Sequence, residues 1–295
     1  MTRRGWVLFA GLALIWGIPY LLIRVAVREL PPAVLVFGRT ALGAALLFPA
    51  VLRRGHLPAL RARWRPIVAF AAVEVAIPWL LLSDAERKLS SSAAGLLVAC
   101  VPLAGALLAR LSGTRERPIG WQGLAGLVLG LCGVAALVGL DVSVRDGWAL
   151  AEMALVVLGY AAGPIIVARS LSGLPTLEVV AASLGLTALA YAPAVPLSLP
   201  AHAPSAAALG SVVVLGVVCT AAAFVVFFQL IAEVGPLRAT VVTYLNPAVA
   251  MAAGVALLGE PLTTGMVLGF GLILLGSWLA TRAPRVSRAG EGRSA

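Results

Sequence analysis

The stretches ERPIGWQGLAGLVLGLCG (residues 116–133) and GEPLTTGMVLGFGLILLG (residues 259–276) resemble each other at a separation of 143 residues. In both, a proline precedes an apolar run in which glycines recur. The matching positions are Pro118, Gly126 and Gly133 in the first stretch and Pro261, Gly269 and Gly276 in the second. Small residues at these spacings let helices pack closely in a membrane. A packing role for these glycines is therefore favoured over substrate contact.

The same register continues along the rest of the chain. Four further positions recur 144 or 145 residues later, and the pairs are Trp16 with Tyr160, Pro31 with Pro175, Pro49 with Pro193, and Pro102 with Pro247. Prolines would not keep this register by chance. We therefore predict two related halves, residues 1–142 and 143–282, followed by a disordered basic tail at 283–295.

The composition is that of an integral membrane protein. Hydrophobic residues make up 61% of the 295 residues and charged residues 12%, and the mean hydropathy is +1.03. Soluble chains are nearer half apolar and about a quarter charged. Ten apolar runs are long enough to cross a bilayer, which takes about 20 residues each. They lie near 5–27, 33–52, 66–84, 91–110, 119–140, 147–168, 176–199, 207–230, 238–258 and 263–281.

The distribution of arginine and lysine predicts the orientation, because cytoplasmic loops are enriched in both. With the N-terminus inside, sixteen basic residues fall in cytoplasmic segments: Arg3, Arg4, Arg53, Arg54, Arg61, Arg63, Arg65, Arg110, Arg115, Arg117, Arg169, Arg238, Arg282, Arg285, Arg288 and Arg293. Four fall outside: Arg28, Arg87, Lys88 and Arg145. The sequence thus predicts a multi-pass protein of the bacterial cytoplasmic membrane with both termini in the cytoplasm. The net charge of +10 follows this asymmetry, and no nucleic-acid partner is predicted.

Five spans in each half place the second half upside down relative to the first. Inverted repeats of this kind are typical of transporters, which bind substrate near the bilayer centre where the halves meet. The predicted fold is therefore an all-α integral membrane protein of ten transmembrane helices in two inverted five-helix repeats. Monomer and homodimer both stay open.

These features together resemble the EamA-like family of the drug/metabolite transporters. The resemblance rests on the paired stretches, a Trp-Gly in the first span, and SSAAGLLVACVPL (residues 91–103) in the fourth. It covers the whole chain except the tail, and it departs from the family pattern at Glu116-Arg117-Pro118. The resemblance implies export of a small metabolite or drug, with the fifth and tenth spans at the periphery.

Prolines mark the interior of five spans. Proline leaves the carbonyl four residues earlier without its partner, and such gaps occur at membrane depth only inside protein or beside water. The prolines are Pro19, Pro78, Pro102, Pro164 and Pro247. A cavity is favoured over the general enrichment of proline in membrane helices.

Glu74 is the strongest candidate for a functional residue. It lies about 12 Å from the cytoplasmic end of its span at 1.5 Å per residue, and it precedes Pro78 by four positions. A charge at that depth costs about 2.5–3.5 kcal/mol, which the surrounding apolar residues offset. Ionisable residues inside a membrane are candidates for function by default. The alternative is a structural hydrogen bond to a neighbouring helix.

The other candidates for the cavity wall are aromatic or polar. Arg39 and Glu152 are weaker because each is near the outer end of its span, where a long side chain can reach the interface. Beside Pro78 and Glu74, the predicted lining residues are Trp16, Arg39, Trp79, Tyr160, Thr243, Tyr244 and Asn246. For the aromatic residues, packing is an equally good explanation.

The predicted function is secondary transport by alternating access, with the proton gradient as a candidate energy source, since Glu74 is the one carboxylate expected at depth. A membrane enzyme acting on lipid would need clustered His, Asp or Ser at an interface, and a channel would need a continuous polar stripe. The histidines, His56 and His202, are predicted on opposite sides of the membrane. The three cysteines have no metal-binding spacing and are expected to be buried, so no metal and no cofactor are predicted.

Overall fold

The computed structural model describes residues 2–111, 121–140, 146–198, 200, 202–235 and 239–281. These residues form helices joined by short loops, and no strand occurs among them. The predicted all-helical class is confirmed for this part of the chain. Glu116-Arg117-Pro118, Arg145, Arg238 and the basic tail lie outside the described residues.

Seven helical stretches are long and apolar enough to cross a bilayer. In chain order they are α1 (Arg3–Ala26), α2 (Pro32–Arg54), α3 (Trp64–Ala85), α4 (Ser91–Leu108, with helix to Leu111), α6 (Gly147–Leu171), α7 (Thr176–Leu197) and α8 (Ala206–Val234). Three further apolar helices are α5 (Trp121–Leu140), α9 (Asn246–Leu258, preceded by a 3₁₀ turn at Thr240–Tyr244) and α10 (Thr264–Thr281). All ten overlap the predicted runs, and their arrangement as ten inverted spans stays a prediction.

Several of these helices are interrupted near their middle, as the prolines predict. The helix of α1 stops at Gly17 and resumes at Pro19, and α4 breaks between Val98 and Val101. The break in α4 leaves the carbonyl of Ala99 outside the helical hydrogen-bond pattern. This carbonyl accepts a hydrogen bond of 3.3 Å from the Ser277 hydroxyl on α10. A neighbouring helix thus supplies a partner for the backbone that is interrupted near Pro102.

A second kind of interruption is a π-helical turn, which the sequence analysis does not predict. α3 widens to a π-helix at Ala71–Ala76, directly before Pro78, and α8 does so at Val217–Ala222. These two segments are 146 residues apart. A third π segment, Val167–Leu171, ends α6 shortly after Pro164. Such turns occur mostly as single insertions in α-helices and are frequent at functional sites.

The helices pack in pairs drawn from both halves of the chain. α5 lies along α10, α2 along α7, and the first part of α4 along α9, while α8 contacts both α1 and α2. A Cβ atom on Gly276 would lie 2.6 Å from the Gly126 carbonyl oxygen, so the glycine spacing of α5 and α10 permits the direct backbone contact predicted for it.

Hydrogen bonds tie the helix ends of the two halves together. The Glu260 carboxylate, just after α9, accepts from the backbone N–H and hydroxyl groups of both Ser91 and Ser92 at the start of α4, at 2.5–2.9 Å. Between α1 and α8, Glu29 accepts from the Ser205 N–H and hydroxyl, each at 2.6 Å.

The opposite helix ends are joined in the same way. Glu178, at the start of α7, accepts from the Arg54 guanidinium at 3.1 Å, and its carboxylate lies 3.1 Å from His56 Nδ1. The Thr2 hydroxyl donates to Glu233 at the end of α8. Contacts between the halves therefore exist at both ends of the bundle.

Candidate functional site

A buried arginine lies at the contact between α2 and α8. Arg39 is 6% exposed, and its Nε donates a hydrogen bond of 3.0 Å to the Thr220 hydroxyl oxygen. Thr220 is in the π segment of α8, and its own hydroxyl proton is donated to the Leu215 carbonyl at 2.8 Å. Because that proton is engaged, the Thr220 oxygen presents its free electron pairs to Arg39.

The flat face of Arg39 lies on an indole ring from a third helix. The Cζ atom of Arg39 is 3.6 Å from the centroid of the Trp79 ring, a cation–π contact with a tryptophan that is 8% exposed. Tyr160 of α6 packs against the hydrophobic cluster that contains Trp79. We call Arg39, Trp79, Tyr160 and Thr220 the arginine cluster; it brings together α2, α3, α6 and α8.

Glycines allow the helices to meet at this cluster. A Cβ on Gly43, one turn after Arg39 on α2, would lie 2.9 Å from Thr220 Cγ2. A Cβ on Gly216 of α8 would lie 3.0 Å from the Arg39 carbonyl oxygen. Any side chain at either position would push α2 and α8 apart and separate Arg39 from Thr220.

Glu74 lies in the π segment of α3 and faces α6. A Cβ on Gly163 would overlap the Glu74 carboxylate, so the absence of a side chain there makes room for it. Its Oε2 is buried and has no hydrogen-bond partner in the described part of the chain, although the residue as a whole is partly exposed. Pro78 packs against Gly159 on the same face of α6. Glu74 and Pro78 thus form one contact with α6, beside Tyr160.

Arg39 and Glu74 are not an ion pair. Neither takes part in a salt bridge within the described residues. Tyr160 lies on α6, the helix that Glu74 contacts, and packs against the hydrophobic cluster that contains Trp79. The two charged residues therefore form separate polar positions.

The remaining predicted residues form a second group around α1 and α9. Trp16 packs on Phe227 and Phe224, with ring centroids 4.9 and 6.1 Å apart, which favours the packing role weighed for it. Asn246 begins α9, its Oδ1 is buried without a hydrogen-bond partner, and its carbonyl lies close to Gly17 of α1. Thr243 and Tyr244 lie in the adjoining 3₁₀ turn, and each interacts with another residue of the protein. Of the predicted set, Arg39 and Trp79 are in direct contact.

Two expectations about individual side chains were wrong. Arg39 points into the protein and does not reach the interface. Cys132 is exposed on α5, and only Cys219 is fully buried.

Sequence reasoning missed Thr220 and Glu86. Thr220 occupies the fourth position of its π segment, as Glu74 does in the matching segment 146 residues earlier. The register of 143–145 residues between the halves pairs Glu74 with positions 217–219, so it falls just short of Thr220. Glu86 is in a short polar loop by sequence, and no signal there indicates that it is fully buried with both carboxylate oxygens unpartnered. No group of His, Cys, Asp and Glu suited to a metal occurs in the described part of the chain.

Comparison with known proteins agrees with this architecture. A relative from Archaeoglobus fulgidus, described as an uncharacterized transporter, is 25% identical over 282 residues, spanning 95% of this chain and 99% of that protein. The uncharacterized inner membrane transporter YedA of Escherichia coli K12 is 29% identical over 285 residues, spanning 93% and 89%. A solved crystal structure superposes with a TM-score of 0.66 at 24% identity, over 95% of this chain and 98% of the other, and so shares the fold.

A family model covers nearly the whole chain in two matches. It matches residues 3–139 and again residues 147–282. The resemblance drawn from the paired stretches is thereby confirmed, and the chain belongs to the EamA-like transporter family.

Proposed function

We propose that this membrane transporter is a secondary transporter that moves a small molecule out of the cell by alternating access. Its location is the bacterial inner membrane, as named for the relative YedA. The observation that carries the proposal is a set of polar side chains, the buried Arg39 and Thr220 and the half-buried Glu74 and Tyr160, placed where interrupted helices of both halves meet. Such positions are where secondary transporters bind substrate and coupling ions.

The proposed mechanism uses the two halves as inverted repeats, residues 1–142 and 143–282, with both termini in the cytoplasm. The π segments at Ala71–Ala76 and Val217–Ala222 support the repeat, because they interrupt corresponding helices within a few residues of the register of the two halves. Contacts such as Glu29 with Ser205 at one end and Arg54 with Glu178 at the other would break in turn. Rocking of one half against the other then exposes the site to each side alternately.

Glu74 is the proposed coupling residue. One oxygen of its carboxylate has no hydrogen-bond partner among the described residues. The residue lies in a π-helical turn at the contact between α3 and α6. A buried carboxyl favours its neutral form, whereas contact with water favours the ionised form. A conformational change that wets the α3–α6 contact would therefore release a proton from Glu74, and closing it would take one up.

Reconstituted vesicles test the transport function and the coupling together. Protein in proteoliposomes containing a trapped pH-sensitive dye is given a panel of organic acids, amines and amides under an imposed pH gradient. We expect at least one class to move protons with the wild type, and Glu74→Gln to lose gradient-driven transport while it still exchanges solute across the membrane.

Glu152→Gln is the matched control, because Glu152 is also a buried carboxylate of a membrane helix with an unpartnered oxygen. It should retain coupling. Normal gradient-driven transport by Glu74→Gln would show that Glu74 is structural, and no movement of any solute would refute the transport proposal.

A further inference from the structure

Among the described residues, no counter-charge is in direct contact with Arg39. Within this part of the chain it makes a single hydrogen bond, through Nε to Thr220, and none of the salt bridges includes it. The buried Glu86 does not pair with it, since neither Glu86 carboxylate oxygen has a hydrogen-bond partner among the described residues.

The position of the guanidinium leaves its outer edge available. Thr220 holds Nε, and Trp79 covers one face at 3.6 Å. The terminal nitrogens, Nη1 and Nη2, bond to nothing in the described part of the chain. These two nitrogens are the parallel donors that bind a carboxylate through both of its oxygens.

The energetics favour a negatively charged ligand at this position. A buried arginine without a partner is costly at membrane depth, and such residues generally mark the path of a substrate or ion. An anion that enters the same low-dielectric surroundings is attracted far more strongly than it would be in water. Tyr160 and Trp79 provide aromatic surface beside the charge.

We propose that Arg39 binds the anionic group of the transported molecule, which is a small organic acid whose apolar part lies against Trp79 and Tyr160. This inference rests on the proposed transport function and narrows its substrate to one chemical class.

A binding experiment compares three probes that share one ring and differ in charge: phenylacetate, phenylacetamide and phenethylamine. Affinities are measured on the purified full-length protein from the shift of its thermal unfolding with probe concentration. Phenylacetate should bind the wild type more tightly than either of the other two. Equal or tighter binding of the amide or the amine would overturn the inference.

Variants then assign the effect to Arg39. Arg39→Met should weaken phenylacetate binding roughly 30-fold, as expected for the loss of one bidentate charge-assisted pair. Arg39→Lys keeps the charge but not the fork and should weaken it about tenfold, so it decides the question if the Met variant does not fold. Affinity for the amide should stay unchanged in both.

Arg65→Gln is the matched control, since Arg65 also lies over a tryptophan, Trp64, at 5.4 Å, but on the exposed surface. It should bind phenylacetate as the wild type does. An equal loss in Arg65→Gln, or unchanged phenylacetate binding in both Arg39 variants, would overturn the assignment.

Transport of the same probes separates this inference from the proposed function. Proteoliposomes that carry phenylacetate faster than the amide or the amine support both. Vesicles in which phenylacetate binds through Arg39 but no probe moves would refute the transport function and leave the anion site standing. Vesicles that carry the amine or the amide but not phenylacetate would refute the anion site and leave transport standing.

Discussion

Removal of the Glu260 carboxylate should destabilise the protein measurably, because one side chain holds the start of α4. Glu260 follows α9 in the second half of the chain, whereas Ser91 and Ser92 begin α4 in the first half. Its two oxygens accept four hydrogen bonds from the N–H and hydroxyl groups of these serines, at 2.5–2.9 Å. The contact is therefore both a helix cap and a link between the halves.

The magnitude follows from the burial of the donors. Ser91 and Ser92 are both 0% exposed, and a buried donor that loses its acceptor costs about 1–3 kcal/mol. Glu260 itself is partly exposed, so water replaces some of the lost bonds in Glu260→Ala. We expect a net loss of about 2–4 kcal/mol for the two backbone N–H groups and the hydroxyls together. For a chain of this size that corresponds to a fall in Tm of roughly 5–15 °C.

The assay is thermal unfolding of purified protein in one detergent at one heating rate, because membrane proteins often unfold irreversibly. Glu260→Gln should fall between wild type and Glu260→Ala, since its amide oxygen still accepts at one serine while its NH₂ group opposes the N–H of the other. Glu233→Ala is the matched control, because it removes an exposed acceptor, that of the Thr2 hydroxyl. Its Tm should stay within about 2 °C of wild type.

Two results would contradict this reasoning. One is a Glu260→Ala variant whose Tm equals that of the wild type, which would mean that water replaces the carboxylate at no cost. The other is an equal fall in Glu233→Ala, which would mean that burial of the donors does not set the magnitude.

Two other perturbations have effects whose sign the structure decides. Gly163→Ala should lower Tm, because the added methyl group crowds the Glu74 carboxylate at a cost of about 1–3 kcal/mol. Gly185→Ala is the control: a Cβ there meets open space, so Tm should stay unchanged or rise. A fall of equal size in both variants would show that the Glu74 contact is not crowded. The hydroxyl and N–H groups of Ser205 hold the pKa of Glu29 below its usual range. The stabilisation from this contact is therefore fully present above the pKa that Glu29 has in the unfolded chain. It is lost as the pH falls through the lower pKa that Glu29 has in the folded protein. The Tm difference between wild type and Glu29→Gln should therefore be constant above about pH 4.5 and disappear in more acidic buffer, and a difference that persists at pH 2 would refute the linkage.

The membrane class, the helices and the interruptions at prolines could be predicted from the sequence because each depends on local chemistry. A run of about 20 apolar residues must satisfy its backbone within itself in lipid, and a helix does so. A proline removes one backbone donor wherever it occurs, so the break beside Pro102 in α4 was predictable. The register of the two halves is likewise a property of residue spacing alone.

The faces on which helices meet were decided only by the tertiary structure. These helices are apolar nearly all round, so no polar stripe distinguishes the side that faces protein from the side that faces lipid. Arg39 was expected to reach the interface because its depth along α2 allowed it, but its direction depends on Gly43 and Gly216, which bring α8 within hydrogen-bond distance. Arg39 and Thr220 are 181 residues apart, and nothing local to either one marks the other as its partner. The π segments belong to the same category, because a π turn depends on how a whole helix is accommodated by its neighbours and not on the residues of one turn.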